Sequence, residues 1–150
     1  MTDNRFSQGA QDALLLAFSA ARRLQHSFIG SEHLLLGVYC QRGGAGSRSL
    51  CEMGLTERQL FDAVASSVGA GKGRAQAPVV LTVSAMRIIE GAPAQATAAG
   101  SASVGSEHLL MSLLAEKDCG GALVLKRLGV SLPALYARLL ARPQPGQTLQ

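Results

Sequence analysis

Two glutamates, Glu32 and Glu107, are the side chains best placed by type and spacing to do chemistry. Each lies in the same six residues: Gly30-Ser31-Glu32-His33-Leu34-Leu35 returns letter for letter as Gly105-Ser106-Glu107-His108-Leu109-Leu110. A serine followed by Glu-His and an apolar run reads as the start of an α-helix, with Ser31 and Ser106 as N-caps and the glutamates in the first turn. Unpaired backbone N–H groups and the helix dipole make such a start locally positive, so a first-turn carboxylate stabilises the helix by about 0.3–1 kcal/mol. Ser7 and Thr82, equivalent in the two copies, read as caps of the preceding helices, with hydroxyls at the edge of the two pockets of positive potential expected at these starts.

Other chemistry finds little support. Adjacent Glu and His on a helix point about 100° apart, and no third ligand recurs beside them, so His33 and His108 read as structural histidines bonded to a neighbouring segment. His26 has no counterpart, since Ser101 stands in its place. No Ser/His/Asp or Cys/His set follows the repeat, so no catalytic residue, metal site or cofactor is assigned. Gly71-Lys72-Gly73 fails as a phosphate loop, which needs Gly where Ser66 stands and Ser or Thr where Gly73 stands. Cys40, Cys51 and Cys119 are an odd count without C-x-x-C spacing and read as small core thiols of a cytoplasmic protein.

The elements that must position the glutamates follow from a shift of 75 residues, which aligns much more than the hexamer. Ala10 falls on Ala85, Leu14 on Ile89, Ala17 on Ala92, Leu50 on Leu125, Gly54 on Gly129, Thr56 on Ser131 and Leu60 on Leu135. One unit has been built twice. In the first copy, Ala10, Ala13, Leu14, Ala17, Phe18, Ala21 and Leu24 form one apolar helical face after Ser7. A second helix starts at Ser31, a third spans about Ser47 to Met53 and stops at Gly54, and Thr56-Glu57-Arg58-Gln59 opens a fourth with a capping box. In the second copy, Pro93 is expected to kink or shorten the first helix, with a looser stretch from Ala94 to Ser103. The expected organisation is one all-α domain, 1–150: repeat one about 5–68, linker 69–80, repeat two about 81–141 and a Pro/Gly/Gln tail 142–150. Each four-helix unit is expected to keep its own local contacts, which favours fast folding, and the second to be the weaker.

Composition narrows the classes. The chain has 150 residues, 47% of them hydrophobic, and no apolar run near the roughly 20 residues a membrane helix needs. The N-terminal residues lack the basic start and apolar stretch of a secretory signal. A net charge of +4 is spread from Arg5 to Arg142, whereas a nucleic-acid binder gathers its cations on one face. Neither membrane nor nucleic acid is therefore expected as a partner.

The order Phe-Ser, amphipathic helix, Arg-Arg-Leu-x-His-x-Phe-Ile-Gly-Ser-Glu-His-Leu-Leu-Leu-Gly, Gly-rich loop, Leu-x-x-x-Gly-Leu-Thr resembles the repeat of the Clp ATPase N-terminal domain, most of all the ClpC branch of bacterial unfoldases. The likeness runs from residue 5 to about 141. It implies a pseudo-twofold module of eight helices, without catalysis, that receives substrates or adaptor proteins for an ATP-driven hexameric unfoldase and its protease. It also implies that Glu32 and Glu107 hold the guanidinium of phosphorylated arginine while nearby N–H and hydroxyl groups, among them those of Ser31, Ser106, Ser7 and Thr82, meet the phosphoryl oxygens. That pairing is coherent, because phosphoarginine joins a cation to an anion. No ATPase motif is found, which fits either a piece of a longer unfoldase or a free-standing modulator. Two other readings stay open: a docking module that uses Phe6, Phe28, Val80 and Leu81 without a small ligand, and a small Glu/His enzyme or metal protein. Phe28 is matched by the small Ser103, so the equivalence of the two pockets is open as well.

Overall fold

The computed structural model describes residues 5–68 and 80–141; the expected linker from 69 to 79 and tail from 142 to 150 lie outside the described residues. Among those described there are eight helices. They are α1 (Gln8–Arg23), α2 (Ser31–Cys40), α3 (Ala45–Glu52), α4 (Glu57–Val68), α5 (Val83–Ala98), α6 (Ser106–Ala115), α7 (Gly120–Arg127) and α8 (Leu132–Ala141). Two short strands, β1 (Phe28–Ile29) and β2 (Val80–Leu81), are the remaining regular structure. Val80, assigned to the linker by its sequence, is therefore part of β2.

Helix punctuation follows the side chains. Ser7 Oγ and Thr82 Oγ1 accept from the N–H groups of Ala10 and Ala85, each at 3.1 Å. Thr56 and Gln59 satisfy each other's backbone N–H groups ahead of α4. Gly54 and Gly129, at φ +89° and +85°, end α3 and α7 in the left-handed conformation that glycine adopts without penalty. Pro93 does not shorten α5, which has 16 residues like α1. The alanine-rich stretch around it has high helix propensity, Ala92 and Ala96 bury their side chains, and the Thr97 hydroxyl donates to the Pro93 carbonyl at 3.1 Å. Tyr136 of α8 also bonds Gln95, tying down the second half of the helix.

The centre of the molecule is α2 and α6. Apart from Glu32 and Cys40, every residue of α2 is buried, and so is every residue of α6 except Ala115. Helices apolar on all sides belong in the interior. Here α2 touches α1, α3, α4, α5, α6 and α7. Helices α1 and α2 approach closely at Gly37. A Cβ on Gly37 would strike the Ala13 carbonyl and lie 2.7 Å from the Ala17 nitrogen. The alanine face of α1 makes this approach possible; Ala20 belongs to that face, whereas Phe18 is 37% exposed and Leu14 and Leu24 are half-buried. In the second repeat the position of Gly37 is held by Ser112, whose hydroxyl donates to the Ile88 carbonyl at 2.7 Å.

The repeats do not keep to themselves. β1 of the first pairs in parallel with β2, which leads into the second, and Phe6 before α1 pairs with Val104 before α6. Helix α7 packs on α2 and α4, and α3 packs on α6 and α8. The expectation of two self-contained units is thereby corrected, since each repeat completes the other's core. Phe6 is buried by the same exchange, so it is not surface available for docking. The substitution Gly37→Ala is expected to cost about 1–3 kcal/mol through overpacking, with a Tm lower by several degrees. A thermal melt matching the parent protein would contradict this crossing.

Candidate functional site

The cross-packing brings helix starts together in pairs. The start of α7 sits against the start of α2: the Gly121 N–H donates to Ser31 Oγ at 2.9 Å, and a Cβ on Gly121 would lie 2.9 Å from the Ser31 carbonyl. The start of α3 sits against that of α6 in the same way, with the Cβ position of Gly46 at 3.5 Å from both Ser106 O and Glu107 Cα. Two positive helix ends thus face one another at each junction, with a glutamate beside them. Glu32 is half-buried and lays its carboxylate over Gly120, where a Cβ would overlap it. Glu107 is 6% exposed and folds back over Gly105.

The serines have a different task from the one expected. The N-caps of α2 and α6 are Gly30 and Gly105, and Ser31 and Ser106 are the first helical residues. Their hydroxyls face the other repeat, Ser31 toward Gly121 and Ser106 toward Gln41 Oε1 at 3.0 Å. Satisfying the helix starts falls to the histidines: Nδ1 of His33 accepts from the Gly30 N–H at 2.9 Å, and Nδ1 of His108 from the Gly105 N–H at 2.7 Å. Thr82 and Ser7 arrive crosswise through the strand pairs. The Thr82 N–H donates to Ile29 O at 3.0 Å beside the Glu32 site, and the Ser7 N–H donates to Val104 O at 2.8 Å beside the Glu107 site.

Among the described residues no group of three or more His, Cys, Asp or Glu side chains could hold a metal ion. Cys119 is buried at the start of α7, Cys40 is half-buried and Cys51 is exposed, so only the first is a core thiol. Burial pushes the Cys119 thiol up, against the Ala122 N–H and the Ser31 hydroxyl.

The model of the Clp repeat (R) N-terminal domain matches residues 5–128 and 80–147. The chain belongs to the Clp N-terminal domain family. It is 37% identical over 132 residues to the negative regulator of genetic competence ClpC/MecB of Bacillus subtilis, covering 88% of this chain and 16% of that protein. It is 34% identical over 136 residues to a ClpA homolog, an ATP-binding subunit of the Clp protease, of Trieres chinensis, covering 91% of this chain and 15% of that protein. Among solved structures it is similar to the N-terminal domain of the chaperone ClpD of Arabidopsis thaliana, with TM-score 0.73, 26% identity, and 91% and 95% of the two chains covered. What is matched is the non-catalytic N-terminal domain of these proteins.

In this Clp N-domain the sequence reading missed Gly120, Gly121, Gly44, Gly46 and Gln41 at the two junctions. A signal was available, because Gly46 and Gly121 coincide under the 75-residue shift and both lie in glycine-rich stretches of the sequence. Also unforeseen was the pairing of His26 Nδ1 with His33 Nε2 at 2.8 Å, packed against the Phe28 ring. Since His33 Nδ1 must accept from Gly30, its one proton lies on Nε2 and points to His26. Burial, reinforced by the nearby His26, lowers the His33 pKa from 6.5 to about 4. The unfolded chain takes up that proton first as the pH falls, so this contribution is complete above pH 6.5 and is lost toward pH 4. The expected loss is about 3 kcal/mol. Denaturant unfolding across this range should show the parent losing stability more steeply than His33→Gln; equal slopes would contradict the assignment.

Proposed function

We propose that this domain is the substrate- and adaptor-receiving module of a Clp-type ATP-dependent unfoldase, and that it takes arginine-phosphorylated proteins at the Glu32 and Glu107 pockets. One observation carries the reading. Neither carboxylate has a hydrogen-bond or ion-pair partner among the described residues, although Glu107 is almost fully buried. No sealed side-chain oxygen lacks a partner among them, so the Glu107 oxygens keep a path to solvent.

The combination is selective. A helix start alone accepts any small anion, and a carboxylate alone accepts any guanidinium. Together they favour a group in which the two charges are joined, with the guanidinium N–H groups donating to the glutamate and the phosphoryl oxygens receiving backbone N–H groups. Because each pocket is assembled from both repeats, the whole domain is the binding unit. The ring ATPase and protease belong to this reading as partners supplied by the longer proteins to which the chain is related.

A second reading rests on Val80 and Leu81 of β2 and Val83 and Met86 of α5, exposed by 61%, 43%, 60% and 41%. Adaptor proteins would dock on that apolar surface without a small ligand. Calorimetry separates the two. Free phosphoarginine is expected to bind the parent domain at roughly micromolar strength and to lose all measurable affinity when Glu32→Ala and Glu107→Ala are combined. Absence of heat with the parent, or unchanged affinity in the double variant, would remove the pocket reading and leave the docking one.

A further inference from the structure

The two pockets share a plan but differ in state. In the first, Gly120 has no side chain, and the Glu32 carboxylate lies against it beside the first turn of α7. The equivalent residue in the other repeat is Ala45, which carries a Cβ where Gly120 has none. Glu107 is turned back onto Gly105 instead. A second difference lies in Gln41, at the end of α2. Its carboxamide accepts from the Ser106 hydroxyl at 3.0 Å, lies over Gly44 where a Cβ would overlap it, and comes within 3.3 Å of the Cβ position of Gly9. It therefore bridges α1, α3 and α6 at the mouth of the Glu107 pocket. In the first pocket the matching hydroxyl, Ser31, is held by the Gly121 backbone, which need not move. Phe28, its ring stacked on His26, brings its edge to 3.8 Å from the Cβ position of Gly30, whereas the small Ser103 stands at the matching position of the second.

The geometry points to unequal pockets: the Glu32 pocket is the open site, filled first by a phosphorylated guanidinium, and the Glu107 pocket is latched by Gln41, which must leave Ser106 and Gly44 before a ligand enters. This inference rests on the phosphoarginine reading above. A site that is competent only in the unlatched fraction of molecules binds more weakly by that fraction. Occupancy of the two sites then follows ligand supply in two steps, so a protein carrying one phosphoarginine engages the Glu32 side.

The test is an NMR titration of the full chain with phosphoarginine. It follows the N–H signals of Gly30 and Gly121 for the first pocket and of Gly105 and Gly46 for the second. The first pair is expected to saturate at about tenfold lower ligand concentration than the second. Gln41→Ala should bring the second midpoint toward the first without moving the first, and Gly120→Ala should weaken the first alone. If Gly120→Ala disturbs folding, Gln41→Ala carries the comparison, since Gln41 is half-exposed and outside the core. Both pairs moving together in the parent, or a second midpoint unaffected by Gln41→Ala, would overturn the latch and leave the phosphoarginine reading standing. No movement of either pair would overturn both.

Discussion

Facing helix starts are the constraint on which the rest of this domain depends. Bringing two N-terminal ends together concentrates unpaired N–H groups and positive potential, which no well-packed interior tolerates without compensation. The domain supplies that compensation with small residues and one acid at each junction. Gly121 and Gly46 let the backbones approach, Ser31 and Ser106 bond across the interface, and Glu32 and Glu107 bring negative charge. The proposed function uses that arrangement: an acid beside helix-start amide groups suits a joined cation and anion.

That junction exists only because the repeats are exchanged. The segment before each repeat's first helix pairs with the segment before the other repeat's second, as β2 with β1 and as the single bridge Phe6–Val104, and each short third helix docks on the other copy's buried helix. Duplication therefore produced one core with two mouths in place of two cores with one each. The two junctions differ at equivalent positions, Gly120 against Ala45 and Phe28 against Ser103.

Much of this was legible in the residues. The caps at Ser7, Thr56 and Thr82, the turns at Gly54 and Gly129 and the placement of both glutamates in first turns follow from local rules that act over three or four residues. What escaped was non-local. Ser31 and Ser106 have the look of caps, but the preceding glycines take that position and the histidines satisfy the N–H groups, leaving the hydroxyls to bond the other repeat. Pro93 breaks a local rule and is carried by burial of Ala92 and Ala96 and by a contact from α8. Gln41 could not have been found by motif, because its position is a loop residue whose partner lies 65 residues away.

The most direct measurement of the central claim, that each site is composed of both repeats, is a crystal structure of the domain with phosphoarginine bound. The guanidinium should lie on the Glu32 carboxylate of the first repeat and the phosphoryl group against the start of α7 from the second. A ligand held by residues of one repeat alone, or bound away from both glutamates, would contradict the account.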